Sequence, residues 1–414
     1  MFDVYLSTID RTAGPRARGR AFVAGNVVAL GTVSLVTDVS AEMVTAVLPL
    51  YLVLGLNLSP LAYGVVDGVY TGATAVLRIV GGYVADRIRA RKALAGLGYA
   101  LSAVAKLGLL AAGRSLTGIG FVVAVDRMGK GLRTAPRDAL ITLSTPPSAL
   151  GRAFGVHRTM DAVGAFLGPL VALAVLAGSG QSYDAVFVTS FCVAVLGVAV
   201  LVLFVRERAV VAPVAAPRPG LRDAAALLRV AGLRRLLLAA TLLGVATIGD
   251  GFVYLMLQRR TELGLVWFPL LAVGTSLGYL LLAAPLGVLA DRIGRRPVLL
   301  AGYAALALTY LLLAAPVGGW ALLVAALGAY GLFYAATDGV LMALAGPVLP
   351  DTLRATGLAL VQTGQALAYL VSSVLFGLAW AAWGPTAAVL AAALVAVVAG
   401  GVTAGLLFHK GQAA

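Results

Sequence analysis

The sequence predicts an all-α membrane protein of twelve transmembrane helices, arranged as two pseudo-symmetric six-helix bundles. Three observations carry that expectation. The chain is 61% hydrophobic and only 12% charged, with a mean hydropathy of +0.99. A soluble globule of that composition would have more apolar surface than it could cover, so the bilayer is the expected solvent. Apolar runs of about 20 residues recur along the whole length, each long enough to cross a hydrocarbon core of roughly 30 Å. Finally, two similar basic stretches stand almost half a chain apart.

Segment 1 (21–54) follows Arg11, Arg16, Arg18 and Arg20. Its apolar run is too long for a signal-peptide core, and no small-residue cleavage site follows a short one, so it is expected to be retained as a helix. Segments 2 (61–85) and 3 (93–113) flank the first basic stretch, and segment 4 (118–143) is apolar except for one charged face. Segment 5 (153–178) contains small residues and a proline, and segment 6 (185–205) has no charge. The connection Arg206–Arg235, with seven arginines and Pro213, Pro217 and Pro219, reads as a linker. It divides the chain into an N-terminal bundle (1–205), a linker (206–235) and a C-terminal bundle (236–414). Segments 7 (236–257), 8 (265–290), 9 (298–316), 10 (320–346), 11 (355–380) and 12 (386–408) then repeat the pattern.

The net charge of +14 is distributed as a topology signal, not as a nucleic-acid footprint. Of the 31 Lys and Arg residues, only Arg114, Arg259 and Arg260 fall in the loops that lie outside when both termini are inside. That bias places both termini in the cytoplasm and makes the chain a multi-pass protein of the plasma or inner membrane, expected as a monomer in the lipid bilayer. One cysteine, Cys192, excludes an intrachain disulfide and a multi-cysteine metal site.

The two basic stretches are GGYVADRIRARK (Gly81–Lys92) and GVLADRIGRRP (Gly287–Pro297), and Asp86 and Asp291 are 205 residues apart. A period of that length in a membrane protein indicates two bundles related by an axis along the membrane normal, with the substrate site between them. Both copies resemble the loop signature of the major facilitator superfamily, with Arg89 where that family usually has glycine. The resemblance implies the major facilitator fold and an inner gate containing Asp86, Arg87 and Arg91, echoed by Asp291 and Arg292. It also implies that Asp86 braces segment 11 and that Arg87, Arg91 and Lys92 reach lipid headgroups.

Segment 4 holds Asp126, Arg127, Lys130, Arg133, Arg137 and Asp138 within an arc of roughly 140° on an ideal helix. Six central charges would cost up to roughly 15–21 kcal/mol against about 4–8 returned by the apolar residues, so this face needs partners or water. An i,i+4 pair between Asp126 and Lys130 is one expected arrangement. Pro136 is expected to kink or interrupt the helix. Arg127-Met-Gly-Lys-Gly131 is similar to the family's Arg-x-x-x-Gly pattern, in which the arginine is associated with proton handling.

Segments 6, 9 and 12 have no charged side chain and segment 3 has only Lys106, so these four are expected to face lipid. Acids sit on segments 1 (Asp38, Glu42), 4, 7 (Asp250) and 10 (Asp338), and the resemblance makes those four the cavity-lining helices. Asp38 and Glu42 share one helical face about 6 Å apart, and two carboxylates that close in a poorly hydrated cavity tend not to ionise together. They are a candidate proton site; the alternative is a salt bridge from either acid to Arg127 or Arg133. On segment 2, Asp67, Thr71, Thr74 and Arg78 form a polar stripe expected to face the interior. In segment 5, Gly164, Gly168 and Pro169 resemble the Gly-x-x-x-Gly-Pro portion of an antiporter motif and allow close helix packing with a kink, and His157, Arg158 and Asp161 form a candidate gate network beside them.

The leading expectation is a proton-coupled exporter of small molecules, resembling the drug/proton antiporter branch and working by alternating access. The runner-up is a transporter of an organic or phosphorylated anion held by Lys130, Arg133, Arg137 or Arg158. A third reading, metal efflux, draws on Met43, Met128, Met160, Met256 and Met342, but methionine also packs membrane interiors. The sequence has no HExxH, Gly-x-Ser-x-Gly or P-loop, so neither an enzyme nor a cofactor is expected.

Overall fold

The computed structural model describes residues 25–87, 90–146, 149–207, 227, 229–338, 340–345, 348–349 and 354–408, without the side chains of 75–87, 151, 342–343 and 354–356. The first half contains α1 (Gly25–Leu50), continued by a π-helical turn at Tyr51–Gly55, then α2 (Pro60–Arg87), α3 (Arg91–Ala112), α4 (Leu116–Leu143), α5 (Leu150–Gly178) and α6 (Tyr183–Phe204). The second half contains α7 (Ala231–Ala246), α8 (Asp250–Thr261), α9 (Pro269–Ile293), α10 (Arg295–Ala314), α11 (Gly319–Thr337), α12 (Val340–Ala345), α13 (Arg354–Trp383) and α14 (Pro385–Phe408). Ten stretches are each long and apolar enough to cross a bilayer, counting α7 with α8 as one, and α2 and α4 complete a set of twelve spans. An even number of spans brings Gly25 and Phe408, the first and last described residues, to one side, the termini end.

Local chemistry sets several helix ends. The Ser115 and Ser182 hydroxyls accept the backbone N–H of Gly118 (3.1 Å) and Ala185 (3.2 Å) and so cap α4 and α6. Pro60, Pro269 and Pro385 open α2, α9 and α14, where a missing N–H costs nothing. Gly294 alone separates α9 from α10 with φ +96°, a conformation that favours glycine. In the first copy of the repeat the corresponding residue, Arg89, lies outside the described residues.

The same packing pattern occurs twice. In the first half α1 packs on α5 and α6, α4 on α2 and α3, and α3 on α6. In the second half α7 packs on α13 and α14, α11 on α9 and α10, and α10 on α14. Between halves, α2 meets α13 and α5 meets α9. The charge-free segments expected against lipid are peripheral, with Leu196 and Leu203 of α6, Leu308 of α10 and Leu394 of α14 exposed.

Two spans are broken. Segment 7, expected as one helix, is interrupted at Thr247–Gly249, where the Tyr310 hydroxyl accepts the Ile248 N–H (3.0 Å) and donates to the Ala246 carbonyl (3.3 Å). A side chain from α10 thus satisfies backbone groups that the helix ladder leaves open. Segment 10 breaks at Asp338, between α11 and α12. Pro136, by contrast, stands inside a continuous α4 and does not interrupt it.

The halves meet tightly at the end opposite the termini. Gly64 and Gly68 of α2 lie against the Ser373 and Leu370 backbone of α13, and Gly377 lies against Pro60 and Leu61. Tyr63, Phe252, Phe376 and Trp380, all buried, close this end as an aromatic plug, with Phe252 centred 4.7 Å from Tyr63 and 4.8 Å from Phe376. Towards the termini end α9 loses its cover, and Leu280, Leu281, Val288 and Ile293 are exposed. The end away from the termini is thereby sealed.

Candidate functional site

Among the described residues, charged side chains of the first bundle form three clusters. In the first, Asp126 is gripped by Arg127, whose Nε donates at 2.9 Å, and by Lys106 at 3.5 Å. Lys106 also donates to the Ser102 carbonyl (2.9 Å), and the Ser102 hydroxyl donates to the Asp126 carbonyl (3.0 Å). The Arg127 guanidinium lies 3.7 Å from the centre of the Tyr70 ring, and Tyr70 hydrogen-bonds Thr45 of α1 (3.0 Å). A cavity of about 30 Å³, roomy enough for a water, is lined by Thr45, Tyr70, Lys106, Asp126 and Arg127.

In the second cluster Arg133 approaches Asp38 of α1 (3.8 Å) and stacks over Tyr99 of α3 (4.6 Å). The third ties α1, α4 and α5. Arg137 pairs with Asp138 (3.0 Å) and donates to the Ser34 hydroxyl (3.3 Å), and Ser34 is 2.9 Å from His157 Nε2. The Ser34 hydroxyl can give its hydrogen to Nε2 or accept one from it, so the roles in that contact follow the histidine tautomer, and the other ring nitrogen is Nδ1. That nitrogen faces Asp161 at 3.6 Å, and Arg158 approaches Asp161 at 4.0 Å.

Glu42 is buried on α1 one turn beyond Asp38 and makes no ion pair among the described residues. It packs against Gly168 of α5, where an added Cβ would come 2.6 Å from Glu42 Cβ, while Gly164 lies on the Leu35 backbone. Lys130 is half-buried on α4. In the second bundle, Asp250 opens α8 and accepts hydrogen bonds on Oδ1 from the Tyr330 (2.5 Å) and Tyr334 hydroxyls of α11. Asp338 accepts from Tyr279 of α9 (2.9 Å). Both acids thus stand at the helix breaks, the positions where discontinuous spans present ligand groups.

Two sequence expectations change and a third gains a partner. Lys106, assigned to a lipid-facing segment, is buried and paired, because α3 turns that face towards α4 while Leu97 and Val104 face outwards. Asp126 is held by Lys106 and its neighbour Arg127, where the i,i+4 partner Lys130 was expected. Asp67, read only as part of a stripe, accepts a hydrogen bond from Ser373 and so joins the two bundles. Asp291 and Arg292 are exposed at the end of α9, and Arg91 is half-buried at the start of α3. The side chains of Asp86, Arg87 and Arg78 lie outside the described residues. Met43 and Met256 are buried in the core, and Met160 packs on Gly31.

A family model described as Major Facilitator Superfamily matches residues 30–275 and 260–412. An uncharacterized MFS-type transporter of Methanocaldococcus jannaschii is 30% identical over 366 residues, covering 86% of this chain and 88% of that protein. An uncharacterized protein of Mycobacterium tuberculosis is 36% identical over 182 residues, 44% of this chain and 42% of that one. Among solved structures, the nucleoside transporter NupG superposes with a TM-score of 0.76 at 14% identity, over 93% of this chain and 100% of NupG. A POT family transporter in complex with 5-aminolevulinic acid gives 0.77 at 14% identity, over 93% and 96%. A bacterial homologue of Spinster in an inward-facing conformation gives 0.69 at 16%, over 96% and 100%. At these identities the solved structures show the fold alone.

Proposed function

Because the chain belongs to the Major Facilitator Superfamily and is thereby a multi-pass membrane transporter, we propose that it is a proton-coupled exporter of small molecules working by alternating access. The observation that carries this reading is the inequality among the acids of the first bundle. Asp126 and Asp138 each have an arginine in close contact, whereas Asp38 has one long contact to Arg133 (3.8 Å) and buried Glu42 has no cation within ion-pair distance among the described residues, with Lys130 acting on it from farther off. A buried carboxylate without a counter-ion is expensive, and a proton removes that cost. Asp38 and Glu42 are therefore the acids best placed to take up and release the transported proton. With the termini in the cytoplasm and the far end sealed, the cleft between the bundles opens towards the compartment from which an exporter loads. The resemblance to the drug/proton antiporter branch agrees with this direction.

The same geometry weighs against the anion reading. Arg127, Arg133 and Arg137 are buried and already engage Asp126, Asp38 and Asp138, so binding an anion there means displacing an acid of the chain. The deciding experiment is a substrate screen on proteoliposomes carrying an internal pH dye. Once a substrate gives a dye response, Asp38→Asn or Glu42→Gln is expected to abolish it while leaving expression and insertion intact. If both variants still move protons at the wild-type rate, the proton site is elsewhere. Lys130→Gln separates the two readings. Loss of affinity by roughly 10- to 150-fold would mean that Lys130 touches an anionic substrate, and unchanged affinity is the result expected for the exporter.

A further inference from the structure

Beneath the aromatic plug, two carboxyl groups from opposite bundles come together with only hydroxyl partners. Asp67 of α2 accepts from Ser373 of α13 and lies against the backbone of Gly249, the residue immediately before Asp250. Asp250 accepts from Tyr330 and Tyr334. Neither acid is ion-paired among the described residues. The other titratable groups around them among the described residues, Tyr63 of α2, Tyr254 of α8 and Tyr369 of α13, are phenols that bring no cation.

Chain direction fixes which side of the plug the acids occupy. From the sealed end α2 runs inwards, so Tyr63 stands one turn on the sealed side of Asp67; α8 and α13 run outwards, so Phe252 lies on the sealed side of Asp250, and Phe376 and Trp380 on that of Ser373. The plug rings are buried, whereas both acids are partly exposed. The acids therefore form the roof of the cleft, at the line along which the bundles must part for the sealed end to open.

We propose that Asp67 and Asp250 form a shared proton-binding site that controls this seal. With one proton held by the pair, a single negative charge is spread over hydroxyl donors and the bundles can close. Without it, two carboxylates repel across the interface in a poorly hydrated place, and opening the seal hydrates both. The sign follows for the cycle. A proton taken from water on the sealed side, while that side is open, closes it; loss of the proton to cleft water at the termini end favours reopening. That order is the one an exporter driven by inward proton flow requires. The inference rests on the proton-coupled reading and adds a second proton site to it.

The test uses the full chain in lipid nanodiscs without substrate, so that it does not depend on knowing the cargo. In a Cys192→Ser background, spin labels at Arg114→Cys and Ala382→Cys, both exposed beside the sealed end, report the distance between bundles by electron-electron resonance. The open-to-closed ratio is expected to rise by up to about tenfold per pH unit between about pH 5.5 and 8.5, the limit for one proton. Asp67→Asn and Asp250→Asn should each flatten that response and hold the closed distance at every pH, since asparagine keeps an acceptor for the hydroxyls. Two single variants guard against one failing to fold. A wild-type distance that ignores pH, or an Asn variant that responds as wild type does, overturns the proton site. A pH-responsive seal in a protein that shows no substrate-driven proton flux would leave this site standing and overturn the export reading instead.

Discussion

Asp126→Asn is expected to be the most destabilising single substitution among the charged residues, at about 3–5 kcal/mol. Lys106 and Arg127 are almost fully buried, with side-chain exposures of 5% and 4%, and Asp126 is the acid that neutralises both. Asparagine can still accept their hydrogen bonds but leaves two buried cations with no charge between them. Against a total stability of about 5–15 kcal/mol, that loss is large. Lys106→Met should cost much less, because Asp126 keeps Arg127 and the (CH₂) stem of lysine is replaced by an apolar chain of similar length. Replacing all three by apolar residues should recover most of the loss, since a buried ionic cluster is often matched by well-packed hydrophobes. Thermal unfolding of the purified variants in detergent gives the order directly. Asp126→Asn melting with Lys106→Met would show that Lys106 and Arg127 are not neutralised by one acid.

How far this cluster could be foreseen shows what a sequence of this kind reveals. The repeat was legible because Asp86 and Asp291 stand in nearly identical contexts, and twelve spans were legible because each is a long apolar run; both expectations lead to the observed fold. The one-faced charge of segment 4 was legible too, because helical periodicity fixes which residues share a face. Which neighbour that face meets was not. Lys106 was assigned to lipid because charges were counted per segment, although an ionisable residue inside a span already points to a partner. The break at Thr247–Gly249 is marked in the sequence only by Gly249, Asp250 and Gly251, because the hydroxyl that makes it tolerable is on Tyr310, 62 residues from Ile248. Likewise Asp67 and Ser373, 306 residues apart, become one contact only when the two halves are docked.

Glycine positions along α5 should give opposite outcomes from the same substitution, and this is the second large effect expected. A Cβ on Gly168 would come 2.8 Å from the Val39 carbonyl oxygen and 3.1 Å from the Glu42 carbonyl carbon, and one on Gly164 would come 3.0 Å from Leu35 Cα. These are backbone atoms of α1, so no rotamer change relieves the clash and the helices must separate. Gly164→Ala and Gly168→Ala are each expected to cost about 1–3 kcal/mol, and Leu at either position more. Gly155, on the same helix, has nothing within 4 Å of an added Cβ. There the only change is the loss of glycine's backbone freedom, so Gly155→Ala should be stabilising by about 0.5–1 kcal/mol. Because Glu42 packs directly on Gly168, a displaced α1 also moves a proposed proton-carrying acid, and Gly168→Ala should lose transport more severely than its stability loss alone accounts for. Thermal unfolding of the three alanine variants, with transport measured at a temperature where all remain folded, checks both statements. Equal stability for all three would mean that α1 and α5 are not in backbone contact, and full transport by Gly168→Ala would remove the link between that contact and Glu42.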